Sequence, residues 1–305
     1  MRWFASSSTD RVSERDALGP LLPPALLAAL SGLDLVSAAR RRRSSEGVHP
    51  ALRHGREEEF FQHRPYVRGD DLRAVDWRAS ARTGHPLLKE RHQPARRPLT
   101  LLLDTTLSMQ FPEGRSKLRQ AKVLAAALAF LALRRGDSVE ILVLRGAGFE
   151  RVARLRPAPR ALHAISSVLE PLEASGESDV AVSLERTASS VSRHGLAVLL
   201  SDLYGDEGRL FRALSTLRRL TEVAVVHVLA AEEKELPAGG GTLRELEGGA
   251  VVSVDAGATR AHRVRVAQWR ERLRGGTQAS GGEFVDADSS EPAVDVLTRW
   301  LGRIP

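Results

Sequence analysis

After Pro98 the sequence settles into short apolar runs separated by amphipathic or wholly apolar segments of helical length, and this alternation most narrows what the chain can become. Strands buried on both faces read as continuous apolar runs, and helices between them are the crossovers a parallel sheet requires. The pattern predicts strands at Leu99 to Leu103, Ser138 to Leu144, Leu196 to Leu200 and Glu222 to Leu229, with shorter ones at Ala250 to Val254 and Glu283 to Asp286. Helices are predicted at Ser116 to Leu133, Arg160 to Leu169, Val180 to Ser192, Glu207 to Leu220, Ala261 to Leu273 and Pro292 to Leu301. Phe149 to Leu155 alternates and follows Gly146-Ala-Gly148, so it is expected as an antiparallel edge strand. The expected fold class is a doubly wound, mainly parallel α/β sheet of the Rossmann type.

The chain before this region has a different character. Residues 1–19 are polar and expected to be loose. Pro23-Pro24 opens a leucine-periodic helix that runs toward the basic cluster Arg40 to Arg43, and Ser44 to Gly55 reads as a linker. The domain reading is therefore a tail at 1–19, a helical and charge-dense segment at 20–97, and the α/β domain at 98–305.

At 305 residues and 42% hydrophobic content the chain can bury a sizeable core. It has no cysteine, which excludes disulfides, thiolate metal sites and a cysteine nucleophile. The longest apolar run, Val123 to Leu133, falls short of the roughly 20 residues of a membrane span. With no secretory leader in the opening residues, a soluble cytoplasmic protein is expected. The net charge of +7 lies almost wholly before residue 98, where 18 Lys+Arg face 12 Asp+Glu. Arginine outnumbers lysine 41 to 4, a bias better explained by coding composition than by phosphate contacts, and no nucleic-acid-binding motif accompanies it. Nucleic acid is not an expected partner.

In open α/β sheets ligands sit beyond the carboxyl ends of the strands, where strand order reverses. Three polar clusters fall at such places: Asp104-Thr105-Thr106-Leu107-Ser108, Ser178-Asp179 and Ser201-Asp202. Together they offer hydroxyl and carboxylate oxygens, the donors that hard cations such as Mg²⁺ prefer. The same residue types are common helix caps, so each cluster taken alone serves either role.

The pattern D-T-T-L-S at Asp104 to Ser108 resembles the D-x-S-x-S motif of von Willebrand factor A domains. The resemblance implies a metal-ion-dependent adhesion site that binds Mg²⁺, with Mn²⁺ or Ca²⁺ as alternatives, and completes its coordination with a carboxylate of a partner. It carries over to Asp104, Thr106 and Ser108, to Ser178 at the position of that family's threonine, and to Asp202 as its second aspartate. The preceding stretch E-F-F-Q-H-R-P-Y-V-R-G-D-D-L-R-A-V-D-W-R-A-S-A-R, Glu59 to Arg82, is similar to the bacterial family known as domain of unknown function 58, in which this signature precedes a von Willebrand A-like domain. Departures occur at Arg53 to Glu59 and at Ala230-Ala-Glu-Glu233, where D-P-x-E is usual. The signature also has a physical reading: Arg64, Arg68, Asp70, Asp71, Arg73, Asp76, Arg78 and Arg82 are expected to form an ion-pair network, with Tyr66 and Trp77 as anchors.

What the resemblance implies is a non-enzymatic adaptor or scaffold that works with a MoxR-type AAA+ ATPase or another von Willebrand A-like protein in assembly or maturation. The alternative is a metal-dependent hydrolase using Asp104, although Thr106 stands where a haloacid-dehalogenase-type phosphatase needs a second aspartate. His194, His227 and His262 show no metal-ligand spacing and are expected to be ordinary surface or strand-edge residues. Gly239-Gly-Gly241 lacks the Lys-Ser/Thr of a phosphate-binding loop and reads as flexible.

Overall fold

A computed structural model describes residues 3–5, 20–35, 59–67, 70–72, 75–92, 97–177, 179–235, 241–245, 251–254 and 256–302. The chain divides into two compact units, one of residues 43–96 and one of residues 1–42 and 97–305.

The larger unit is built on six strands: β4 (Leu99–Asp104), β5 (Val139–Arg145), β6 (Gly148–Leu155), β7 (Leu196–Ser201), β8 (Glu222–Leu229) and β11 (Glu283–Asp288). Their spatial order is β11-β8-β7-β4-β5-β6, and all pairs are parallel except β5 with the edge strand β6. Every residue of β4 and β7 is buried. The pleat sends alternate residues to opposite faces. Leu101, Leu103, Val198 and Leu200 join one apolar core, whereas Leu102, Ala197 and Leu199 join the other. The first core is covered by α3 (Lys117–Arg135), which is apolar on nearly all sides and accordingly buried along most of its length. Ser116 caps its start by accepting from the Arg119 N–H, and Gly136 at φ 95° ends it. On the same side lie α1 (Pro24–Leu30), α4 (Ala161–Leu169) and α9 (Ala293–Leu301); α5 (Val180–Thr187) and α6 (Glu207–Arg218) cover the other side, together with Leu273 of α8 (Ala256–Ala279). The expected doubly wound α/β class is therefore what the chain forms.

Several boundaries differ from the expectation. The helix opened by Pro23-Pro24 ends at Leu30 rather than running toward Arg40. Gly32 follows, and the guanidinium groups of Arg134 and Arg135 take the carbonyl oxygens of Leu30, Leu33 and Leu35. This packs α1 with the sheet unit. The helix expected to reach Ser192 stops at Thr187, whose hydroxyl turns back onto the Leu184 carbonyl. Residues 251–254 form β10 (Val251–Val254), outside the main sheet: with β9 (Gly241–Glu245) and β1 (Trp3–Ala5) they make a separate antiparallel sheet. Residues 3–5 lie within the segment expected to be loose. The basic cluster 40–43, the linker 44–55 and Gly239-Gly240 lie outside the described residues.

The smaller unit pairs β2 (Glu59–Pro65) with β3 (Leu87–His92) and carries α2 (Trp77–Thr83). Arg64 grips Asp70 through two bonds of 2.7 Å, and Asp70 also accepts from the Val67 N–H. Asp76 caps α2 by accepting from Arg78 N and Ala79 N, and His63 Nε2 lies 3.0 Å from its other oxygen. These contacts fix the turn of the signature. Trp77, expected as an anchor, is 67% exposed. Arg68 and Arg73 lie outside the described residues.

Candidate functional site

After β4 the chain crosses to β5 on one side and later returns to β7 on the other, so strand order reverses between β4 and β7. Such a reversal leaves a crevice beyond the carboxyl ends of the two strands. Leu103 is paired with Leu200, which brings Asp104 beside Ser201 at the ends of both strands.

Asp104, Thr105, Thr106 and Ser108 are almost completely buried, as are Ser201 and Asp202. Ser201 Oγ donates to Asp104 Oδ2 at 2.6 Å and itself accepts from Leu203 N at 2.9 Å. Thr106 N donates to Asp104 Oδ1 at 3.0 Å, and the hydroxyls of Thr106 and Ser108 lie 2.9 Å apart. Burial, and then the nearby charge of Asp202, push the Asp104 carboxyl up to about 6, although three hydrogen bonds pull the other way.

Asp202 is held from a third element. Lys117, the first residue of α3, has a fully buried side chain whose Nζ donates to Asp202 Oδ2 at 2.8 Å and also to Glu233 Oε1. Burial alone would drive this amine toward neutrality, but the two carboxylates outweigh it and hold it above its ordinary value. Glu233 lies in the short helix α7 (Ala231–Lys234), and its second oxygen accepts from Ala230 N at 2.8 Å. Tyr204 donates its hydroxyl to Glu233 at 3.3 Å and stacks on Trp269 of α8, with ring centroids 5.1 Å apart and planes 4° from parallel. His227 Nε2 donates to the Asp202 carbonyl at 3.2 Å. Burial pushes that imidazole below its ordinary value, which makes it a neutral donor.

Two buried carboxylates, Asp202 and Glu233, share the one ammonium, and a third, Asp104, is buried near Asp202, so that negative groups outnumber the positive one. Among the described residues no three His, Asp or Glu side chains converge as metal ligands, so a metal here would depend on hydroxyl oxygens as well. Thr106 and Ser108 supply two hydroxyl oxygens, 2.9 Å apart and hydrogen-bonded to each other, beside the Asp104 carboxylate, and hydroxyl and carboxylate oxygens are the donors that Mg²⁺ takes. The donor set therefore fits the ion that the sequence suggested.

Of the five expected ligands, Asp104, Thr106 and Ser108 share one loop, and Asp202 lies close enough to Asp104 to perturb its titration. Ser178 lies outside the described residues. Its neighbours are tied to the Asp104 loop: Ser175 N donates to Thr105 O at 2.8 Å, and Leu107 N donates to Gly176 O at 3.1 Å. On the other side Asp179 caps α5 and pairs with Arg209 at 3.1 Å.

Sequence reasoning missed Lys117, Glu233, Tyr204 and Trp269. Lys117 reads as an ordinary helix-start residue because its two partners are 85 and 116 positions away. The A-A-E-E segment at Ala230 to Glu233 departs from the D-P-x-E pattern, yet it supplies the buried glutamate. His227 is a correction: it is buried on an interior strand, not at the surface. His262 is partly covered, with Nε2 2.8 Å from the Glu233 carbonyl.

Fold and crevice together define a doubly wound α/β protein with a buried, oxygen-rich site at its switch point. Residues 62–274 match the family described as protein of unknown function DUF58, and the chain belongs to that family. Uncharacterized proteins of Mycobacterium tuberculosis and Mycobacterium bovis are 30% identical to it over 263 residues, covering 82% of this chain and 83% of each relative. Among solved structures, a von Willebrand factor type A protein from Catenulispora acidiphila has a TM-score of 0.41 at 13% identity, covering 67% of this chain and 41% of that one. The SpRpn10 VWA domain has a TM-score of 0.37 at 10% identity, covering 67% of this chain and 95% of that one. No described helix is long and apolar enough to cross a membrane.

Proposed function

We propose that the chain is a non-enzymatic, metal-dependent protein–protein interaction module of the cytoplasm, an adaptor or scaffold working with a MoxR-type AAA+ ATPase, or another von Willebrand A-like protein, in assembly or maturation of other proteins. The observation that carries this reading is the 2.9 Å hydroxyl pair of Thr106 and Ser108 beside Asp104, with Asp202 arriving from the neighbouring strand. The resemblance of the Arg64 to Arg82 signature to its family supports the choice of partner.

Asp104, Thr106, Ser108 and Asp202 would hold the ion, with Ser178 as a fifth ligand. Bound Mg²⁺ supplies a Lewis-acidic position that accepts a carboxylate oxygen from a partner. The chain's own residues prepare this position. Ser201 orients Asp104, Lys117 holds Asp202, and the Tyr204–Trp269 stack braces the loop after β7.

A hydrolase using Asp104 is the second reading, favoured by one observation: a carboxyl raised to about 6 is suited to proton transfer near neutral pH. Both oxygens of that carboxylate already accept hydrogen bonds from within the chain, which favours an orienting role over attack on a substrate.

The test is affinity co-purification from the native host with and without chelator, comparing wild type with Asp104→Ala/Asp202→Ala. An AAA+ ATPase retained only by metal-loaded wild type supports the module. Equal retention by the variant, or turnover of a phosphomonoester that disappears in Asp104→Ala, contradicts it.

A further inference from the structure

The long helix α8 divides into two halves by how its arginines are neutralised. In the C-terminal half Arg270 pairs with Asp286 at 2.9 Å, Arg272 with Glu207 at 2.9 Å, and Arg274 with Glu271 at 2.9 Å and also with Asp286. The first ten residues, Ala256 to Arg265, hold three arginines and no acidic residue, although a helix N-terminus favours carboxylates. Arg260 and Arg265 are exposed and meet no carboxylate among the described residues; Arg265 reaches the Ala261 carbonyl of its own turn. Arg263 lies 4.0 Å from Glu235 with the two side chains 66% and 72% exposed, and a pair so open to water contributes little.

These cations surround an apolar side chain. At 3.6 residues per turn, Trp269 and Leu273, which pack into the core, fall on one side of α8, and Val264 falls on the other. Val264 is 50% exposed. Arg260 stands one turn before it on the same side, and Arg263 and Arg265 flank it. Three guanidinium groups around one apolar residue, within about 7.5 Å of helix axis, complement a short segment in which carboxylates surround an apolar residue. The surroundings select against a longer polyanion. Glu235 stands beside Arg263, and Glu271, 70% exposed, lies two turns beyond Val264 on the same side. A nucleic-acid backbone or an anionic bilayer laid along α8 would meet both carboxylates, whereas a short acidic segment is small enough to avoid them.

We propose that the face of α8 made by Arg260, Arg263, Val264 and Arg265 is a docking surface for an acidic segment of a partner protein. Carboxylates of that segment pair with the guanidinium groups, and an apolar side chain of it covers Val264. The contact uses none of the oxygens of the Asp104 crevice, so it forms with or without metal.

The test is fluorescence anisotropy in chelator, with full-length protein and short labelled peptides. The acidic probe carries glutamates on both sides of a single leucine; control peptides replace the glutamates by glutamine, or the leucine by serine. Wild type is expected to bind the acidic probe about tenfold or more tighter than the glutamine control, and to lose that binding as salt is raised. Arg260→Gln/Arg265→Gln is expected to weaken it about tenfold and Val264→Ala about threefold, with circular dichroism unchanged because these side chains face solvent. The leucine-to-serine peptide is expected to match the loss in Val264→Ala. An acidic probe that binds wild type no tighter than the glutamine control, or binds the arginine variant equally well, overturns the proposal. So does tighter binding of duplex DNA or of phosphatidylserine vesicles that the arginine variant abolishes, which would make this face a nucleic-acid or membrane surface. Because every titration is run in chelator, its outcome stands apart from that of the metal reading.

Discussion

The Lys117 ammonium sits between Asp202 and Glu233 with no exposure of its side chain, joining the start of α3 to the ends of β7 and β8. A buried charge with two partners of opposite sign is costly to disturb from either side. This contact locks the loop after β7 in the place where its aspartate faces Asp104, which links packing of the sheet layers to the geometry of the crevice.

Lys117→Met leaves Asp202 and Glu233 buried without a counter-charge and is expected to cost about 3–5 kcal/mol in denaturant unfolding. Adding Glu233→Gln removes one of the stranded charges and is expected to recover part of that loss. Equal stability of wild type and Lys117→Met would show that the ion pair contributes nothing.

Asp104 gives stability a distinctive dependence on pH. Folding raises its carboxyl from 3.8 to about 6, so the native state binds this proton more readily than the unfolded chain. The group's contribution is fully present below about pH 4 and declines as pH rises through 6, by up to about 3 kcal/mol. In chelator, Asp104→Asn is therefore expected to gain on wild type between pH 4 and pH 7.5, and parallel urea profiles for the two proteins would contradict this.

Asp286 acts with the opposite sign. Burial alone would raise its carboxyl, but hydrogen bonds from the guanidinium groups of Arg270 and Arg274 outweigh it and hold the group well below the usual carboxylate range. Its stabilisation is present above about pH 4 and is lost as pH falls further. Asp286→Asn is expected to be less stable than wild type at pH 7 and to show a shallower loss below pH 4 in the same assay.

Gly195 lies where β7 enters the sheet, and a Cβ there would stand 2.2 Å from the Pro98 carbonyl oxygen. That oxygen is also the acceptor for Leu196 N, so it is not free to move. Gly195→Ala is expected to destabilise by about 1–3 kcal/mol, the usual cost of forced overpacking, measured as a lowered denaturant midpoint.

The sheet was legible in the sequence because its strands are buried on both faces, and a run such as Leu99 to Leu103 has no other plausible fate beside a helix as apolar as Val123 to Leu133. Asp104, Thr106 and Ser108 were legible because they fall directly after such a run. The Lys117 network was not. Its members come from α3, the end of β7, α7 and α8, and no local spacing connects them; only the strand order makes them neighbours. The helix after Pro24 was overextended for a related reason, since leucine periodicity continues past Gly32 while the carbonyls there are claimed by arginines of α3 about a hundred positions away. Segments 241–245 and 3–5 are too short for periodicity to announce, and they are strands by virtue of pairing, 241–245 lying between 3–5 and 251–254.

The most direct measurement is calorimetric titration of Mg²⁺ into chelator-stripped wild type and Asp104→Ala at pH 7.5. Saturable binding of one ion per chain in wild type, abolished in the variant, is the predicted result; no heat of binding in wild type, or the same isotherm in both proteins, would contradict the account.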